Sequence, residues 1–224
     1  MGKIMSIANL DQAHYNMIVQ QVRPWDVLDD KILDTLKQLP REAFVVDEYK
    51  KLAYADTSIP LGNGQEMLHP ILEGRMLQVL NIQPMDTILE IGTGSGFLTA
   101  CLAHLGYHVT SIEIDPSLSQ LAANRLHQQN LVNIDLVVGD ALEVMDKSKQ
   151  YDVVVVTASM SDVPDALKKS LAIDGRLFIV TGEDPVMSAR LITRVADDQW
   201  SDRILFETSI KPLINAEPVK AFVF

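Results

Sequence analysis

The sequence predicts an α/β fold: a mostly parallel sheet flanked by helices, preceded by a helical N-terminal extension and followed by antiparallel C-terminal strands. Three observations predict it. Between about Leu10 and Leu39 apolar residues recur at helical spacing. From Thr87 onward short apolar runs alternate with helical stretches, the pattern of βαβ units around a parallel sheet. Those runs are nearly continuous in Val and Ile, as suits strands covered on both faces. The chain of 224 residues, 47% hydrophobic and 22% charged, is long enough to bury a core without disulfide or metal staples. No period of 20–50 residues repeats and no Gly/Ser-rich or Pro-rich linker divides it. Residues 1–80, a helical region with a substrate-side loop, and residues 81–224, the sheet with its C-terminal strands, are therefore read as one compact unit.

The elements follow in order. Met17, Ile18 and Val22, then Val27, Leu28, Ile32, Leu36 and Leu39, mark two helices interrupted at Pro24, the second started by Asp29 or Asp30. Ile59 to Gly64 is a turn cluster, after which His69 to Leu80 reads as a helix with Pro70 in its first turn. Five strands are expected at Thr87–Ile91, His108–Ile112, Ile134–Val138, Asp152–Val156 and Arg176–Val180. Helices are expected near Gly96–Ala103, Pro116–Gln129 and Val163–Lys169. Ala189–Ala196, Trp200–Ile210 and Ala221–Phe224 read as antiparallel strands, with Asp197-Asp198 as a turn between the first two.

Composition excludes several function classes. Against 30 acidic residues stand 19 basic ones, a formal charge of -11, and no basic stripe breaks the repulsion of nucleic-acid phosphates, so no nucleic-acid partner is expected. A lone cysteine, Cys101, and five scattered histidines offer neither a disulfide framework nor metal-ligand spacing, and no metal is expected. The apolar runs are far shorter than a membrane span and the N-terminus lacks an apolar signal region, which points to a cytoplasmic protein with no membrane partner. Cys101, Trp25 and Trp200 read as packing residues.

The most informative stretch is Ile88-Leu89-Glu90-Ile91-Gly92-Thr93-Gly94-Ser95-Gly96-Phe97, a buried strand running into three alternate glycines and then a helix. Glycines at such a turn let the backbone approach a ligand, and the following helix start presents free N–H groups. A dinucleotide fingerprint would require a small residue at position 97, where Phe97 stands, and a P-loop would require a Gly-Lys-Ser/Thr that does not follow. The stretch resembles instead the E-x-G-x-G-x-G motif of class I S-adenosylmethionine-dependent methyltransferases, whose Rossmann-like sheet matches the expected fold. Glu90 favours a cationic ligand group. Glu113, 23 residues further on, could accept hydrogen bonds from ribose hydroxyls, and Asp140 could reach the adenine amino group; all three acids fall at carboxyl ends of parallel strands, the edge where open α/β sheets bind ligands. Gly92, Thr93, Gly94, Ser95 and Gly96, with Glu90, Glu113, Ile114, Asp140 and Ala141, make the expected cofactor site.

A narrower resemblance covers nearly the whole chain. Leu39-Pro40-Arg41-Glu42-Ala43-Phe44-Val45, Tyr54-Ala55-Asp56, Ile59-Pro60-Leu61-Gly62 and Gly64-Gln65, followed by the glycine stretch, resemble the protein-L-isoaspartate O-methyltransferase family in order and spacing. The resemblance implies S-adenosyl-L-methionine as cofactor, with S-adenosyl-L-homocysteine as product. It places Gly92, Gly94 and Ser95 on the methionine moiety, Glu113 on the ribose and Asp140 on the adenine. It also implies a protein or peptide substrate bearing an isoaspartyl carboxylate. The chain departs from the family where its active-site serine would stand: Leu68 occupies that position, followed by His69. Leucine cannot donate a hydrogen bond to a substrate carboxylate, a loss of about 1–3 kcal/mol in a closed site. Leu68 and His69 are expected to line the acceptor side. An ionised carboxylate acceptor needs no general base; for a small-molecule hydroxyl acceptor, His69 would be the base nearest in sequence. A non-catalytic cofactor-binding module is the remaining alternative.

Overall fold

The computed structural model describes residues 7–216. Helix α1 (Ile7–Asn16) runs into a π-helical segment, Met17–Val22, and a 3-10 turn, Arg23–Trp25, which ends at Asp26 in the left-handed region. Asp29 caps α2 (Asp30–Gln38), its side chain accepting the Lys31 N–H, as the sequence predicts; Ile32, Leu33 and Leu36 form the buried stripe of that helix. Two 3-10 segments, Arg41–Phe44 and Asp47–Leu52, follow.

The expected turn cluster is more ordered than the sequence reading has it. Ile59–Gly62 (β1) and Gln65–Met67 (β2) pair as an antiparallel hairpin around Asn63-Gly64, which stand at φ 49° and 75°. Positive φ at both central residues is the type I′ geometry that Asn-Gly favours. Helix α3 (Pro70–Leu80) has Pro70 at its first position, as predicted.

The main sheet contains β3 (Thr87–Ile91), β4 (His108–Glu113), β5 (Ile134–Val138), β6 (Tyr151–Met160), β7 (Leu171–Glu183), β8 (Val186–Ala196) and β9 (Gln199–Glu207), in the order β5-β4-β3-β6-β7-β8-β9. Pairing from β5 to β7 is parallel and from β7 to β9 antiparallel. Helices α4 (Phe97–Leu105), α5 (Pro116–Gln128), α6 (Ala141–Val144) and α7 (Asp165–Lys169) are the crossovers. Each expected strand and helix of this region is present, β6 and β7 being longer than predicted. The Asp197-Asp198 turn joins β8 to β9, with Asp198 at φ 54°. The strand expected at Ala221–Phe224 lies outside the described residues.

Strand alternation divides the core. Val153 and Val155 join Ile88, Val109, Phe178 and Val180 in a cluster with the N-terminal helices, α3 and α4; Val154 and Val156 join Leu89, Ile91, Ile112, Leu177 and Ile179 in a second cluster with α6 and α7. Sheet strands covered on both faces explain the unbroken apolar runs.

Candidate active site

After β3 the chain crosses outward to β4 and β5, then returns to β6 on the other side of β3. This reversal opens a crevice beyond the carboxyl ends of β3 and β6, the place where open α/β sheets take ligands. Gly92 leaves β3 at φ 94°, and a Cβ there would sit 2.2 Å from the Thr157 hydroxyl in β6. That hydroxyl donates toward the carbonyls of Gly92 (2.8 Å) and Ile91 (3.1 Å). The glycine bend is thus tied to the neighbouring strand at the point of closest approach.

Gly94, at φ 53°, donates its N–H to Glu113 Oε2 (2.8 Å), and Asp115 donates its N–H to Oε1 (3.0 Å). Each carboxylate oxygen of Glu113 keeps a lone pair for a further donor. Asp140 caps α6, with Oδ1 accepting the Leu142 N–H and Oδ2 accepting Asn215 Nδ2 at 3.0 Å. Asp140 is therefore linked to the C-terminal segment.

A cleft of about 750 Å³ brings together Gly92, Gly94, Glu113, Ile114, Asp140 and Ala141. A narrower pocket of about 300 Å³, sharing the glycines, reaches Thr93 and Ser95. Leu68 lines both. Three expected residues stand elsewhere. Gly96 lines neither space; a Cβ there would meet Ala122 at 3.2 Å, so it closes α4 against α5. His69 lines neither, its Nδ1 lying 3.1 Å from Asp56 Oδ1. Leu68 alone of that pair lines the cleft, because His69 caps α3 and turns toward the Asp56 loop.

Glu90 is the third. It is fully buried under the bend, where Oε2 accepts hydrogen bonds from Ser111 and Thr99 and Oε1 has no partner. Burial raises its carboxyl to about 8; the Ser111 and Thr99 hydroxyls oppose the shift and the Glu113 and Glu73 charges add to it. At pH 7 it is predominantly neutral, so the negative charge facing the cleft comes from Glu66, Glu113 and Asp140 instead.

Sequence reasoning missed three contributors. The β1–β2 hairpin and its exit place Leu61, Gln65 and Glu66 on one wall; its signal was Asn63-Gly64. Thr157 and Ala158 lie past the expected strand end at Val156, in a β6 that runs on to Met160. Residues Lys211–Ile214 also line the cleft. Behind Leu68, fully buried Arg41 donates from Nη1 to Glu73 Oε2 and from Nη2 to the Leu68 carbonyl. Burial lifts Glu73 to about 7 against the pull of Arg41.

This donor set fits a nucleoside carrying an amino-acid tail. The bend admits only glycine at its closest approach, two acids stand at adjacent strand ends for hydroxyl and amino donors, and three carboxylates against one ammonium do not suit a pyrophosphate. Among the described residues no helix is long and apolar enough to cross a membrane.

Comparison with known proteins agrees. The model of the protein-L-isoaspartate(D-aspartate) O-methyltransferase (PCMT) family matches residues 13–217. A protein-L-isoaspartate O-methyltransferase of Klebsiella pneumoniae is 36% identical over 177 residues, covering 79% of this chain and 85% of its own. One of Protochlamydia amoebophila is 34% identical over 204 residues, covering 90% and 96%. The fold is similar to that of a Plasmodium falciparum protein assigned as a protein-L-isoaspartate O-methyltransferase and crystallised with S-adenosyl-L-homocysteine. Its TM-score is 0.79 at 21% identity, covering 89% of this chain and 97% of that one. The chain belongs to the protein-L-isoaspartate(D-aspartate) O-methyltransferase family and is an S-adenosyl-L-methionine-dependent methyltransferase.

Proposed function

We propose that this chain methylates the free carboxylate of isoaspartyl residues in damaged proteins or peptides, in the cytoplasm. The observation that carries the reading is the convergence of the glycine bend, Glu113 and Asp140 on one cleft that the β1–β2 hairpin also lines. In it Gly92 and Gly94 would receive the methionine part of the cofactor, Glu113 the ribose, and Asp140 with Ile114 and Ala141 the adenine. Thr93 and Ser95 line the pocket alongside the bend and support its shape.

S-Adenosyl-L-methionine supplies a methyl group on a sulfonium. The chain's own task is alignment, since holding two reactants in line accounts for much of the acceleration in such displacements. Arg41 contributes by fixing the Leu68 carbonyl, which keeps the leucine side chain against the cleft. An ionised carboxylate has no proton to lose, so this acceptor requires no general base.

The Leu68 isobutyl group favours a second reading, in which the same cofactor serves a less polar, small-molecule acceptor. Titration calorimetry with S-adenosyl-L-homocysteine, followed by transfer of labelled methyl to an isoaspartyl peptide and to its aspartyl isomer, separates the two. We expect micromolar product binding and label on the isoaspartyl peptide alone. Product binding with no label on that peptide would overturn the isoaspartyl reading and leave the second.

A further inference from the structure

An anionic acceptor must enter a cleft that is itself acidic. Glu66, Glu113 and Asp140 line it, and the wall nearest the acceptor is the apolar side chain of Leu68. Arg41 cannot supply the missing positive charge, because it is fully buried and committed to Glu73 and to the Leu68 carbonyl. Among the described residues lining the cleft, Lys211 is the one cation.

Its position is built from two sides. The main chain around it lies along the end of β6: Ser159 donates its N–H to the Lys211 carbonyl (2.8 Å) and accepts the Leu213 N–H (2.8 Å), while the Ser159 hydroxyl donates to the Ile210 carbonyl (3.0 Å). The side chain then spans the cleft mouth to the hairpin, where Nζ donates to the Gly64 carbonyl and stands 3.3 Å from Glu66 Oε2. An ammonium carries three donors, so these two contacts leave one free. The Lys211 side chain is 46% exposed and that of Glu66 29%. An ion pair this wet is weak and readily exchanged.

We propose that Lys211 receives the carboxylate of the methyl acceptor, with Glu66 as the internal carboxylate that the substrate displaces. The ammonium supplies the counter-charge that Leu68 cannot, and its tether to Gly64 sets the carboxylate beside the hairpin. Specificity follows: a carboxylate is preferred to the isosteric amide because only the former gains by replacing Glu66. The assignment rests on the carboxyl-acceptor reading above.

The test titrates an isoaspartyl peptide and its isoasparaginyl analogue into the protein loaded with S-adenosyl-L-homocysteine, with methyl transfer followed in parallel. Wild type is expected to prefer the carboxylate by about tenfold. Lys211→Met should abolish that preference by weakening the isoaspartyl peptide alone. Lys211→Arg should retain it within about threefold, and Glu66→Gln should tighten isoaspartyl binding. A preference that survives in Lys211→Met overturns the assignment. So does an equal loss for both peptides, which would mark Lys211 as a strut between the Lys211–Ile214 segment and the hairpin. Carboxylate-selective binding without transfer in wild type overturns the isoaspartyl reaction and leaves Lys211 standing; no peptide binding by wild type overturns both.

Discussion

The two glycines that flank the bend look alike in sequence and differ in what surrounds them. Alanine at Gly92 would press its Cβ to 2.2 Å from the Thr157 hydroxyl on a backbone at φ 94°, so Thr157 would have to release the Gly92 and Ile91 carbonyls it holds. Left-handed backbone alone costs an L-residue about 1–2 kcal/mol. That distortion falls on the floor of the cleft, and Gly92→Ala should weaken S-adenosyl-L-homocysteine binding by about tenfold or more. Alanine at Gly96 instead meets Ala122 at 3.2 Å on α5, away from both cavities. Its cost should appear as a melting temperature lower by about 3 °C or more, with product affinity held within about threefold. Calorimetry and thermal scans on the two variants check this, and the opposite pattern would put the ligand against Gly96.

At the scale of elements, the hairpin over the cleft is small enough to be perturbed alone. Two-stranded hairpins are marginal by themselves, and this one depends on Asn63 and Gly64 at positive φ, with the Gly64 carbonyl also receiving Lys211. No heavy atom lies within 4 Å of a Cβ built on Gly64, so Gly64→Val tests conformation without a clash. A β-branched residue there should raise the acceptor KM about tenfold while the melting temperature moves by less than about 2 °C, because β1 and β2 make no pairing with the main sheet. Steady-state kinetics beside a thermal scan would show it. The hairpin also marks the limit of what could be read from sequence. β3 stands where its apolar run predicts, because a strand buried on both faces announces itself by composition. β1 hides behind Pro60 and Gly62, which suit a short ribbon outside the main sheet. β7 looked shorter than it is because Asp174-Gly175, with Asp174 at φ 63°, reads as a turn although pairing with β6 resumes at Leu171. Among site residues, Glu113 and Asp140 were legible because parallel strand ends collect ligand groups. Lys211 was not, since only tertiary closure brings residue 211 across to residue 64.

Across the whole molecule, the cofactor bend rests on buried acids, and this couples its stability to pH. Glu90, with no cation beside it, is lifted to about 8 chiefly by burial, and Glu73 to about 7 by burial against Arg41. In the unfolded chain both revert to an ordinary carboxyl near 4.5. Between these values the folded state holds protons that the unfolded state has released, so stability falls as pH rises from about 4.5 to about 8 and is greatest on the acid side of that window. The sign is opposite to that of a carboxylate held low by a salt bridge, whose contribution is lost on acidification. Glu90→Gln keeps the shape of the side chain and removes the titration; its amide can still accept from Ser111 and Thr99 through the oxygen. Scanning calorimetry at pH 6 and pH 9 should find the wild-type melting temperature falling by about 5 °C more than that of Glu90→Gln. The formal charge of -11 adds self-repulsion to both proteins alike, so the difference between them isolates the buried carboxyl. Equal losses in the two would mean that Glu90 is ionised in the folded protein, held so by a cation that the bend draws toward its unpartnered Oε1.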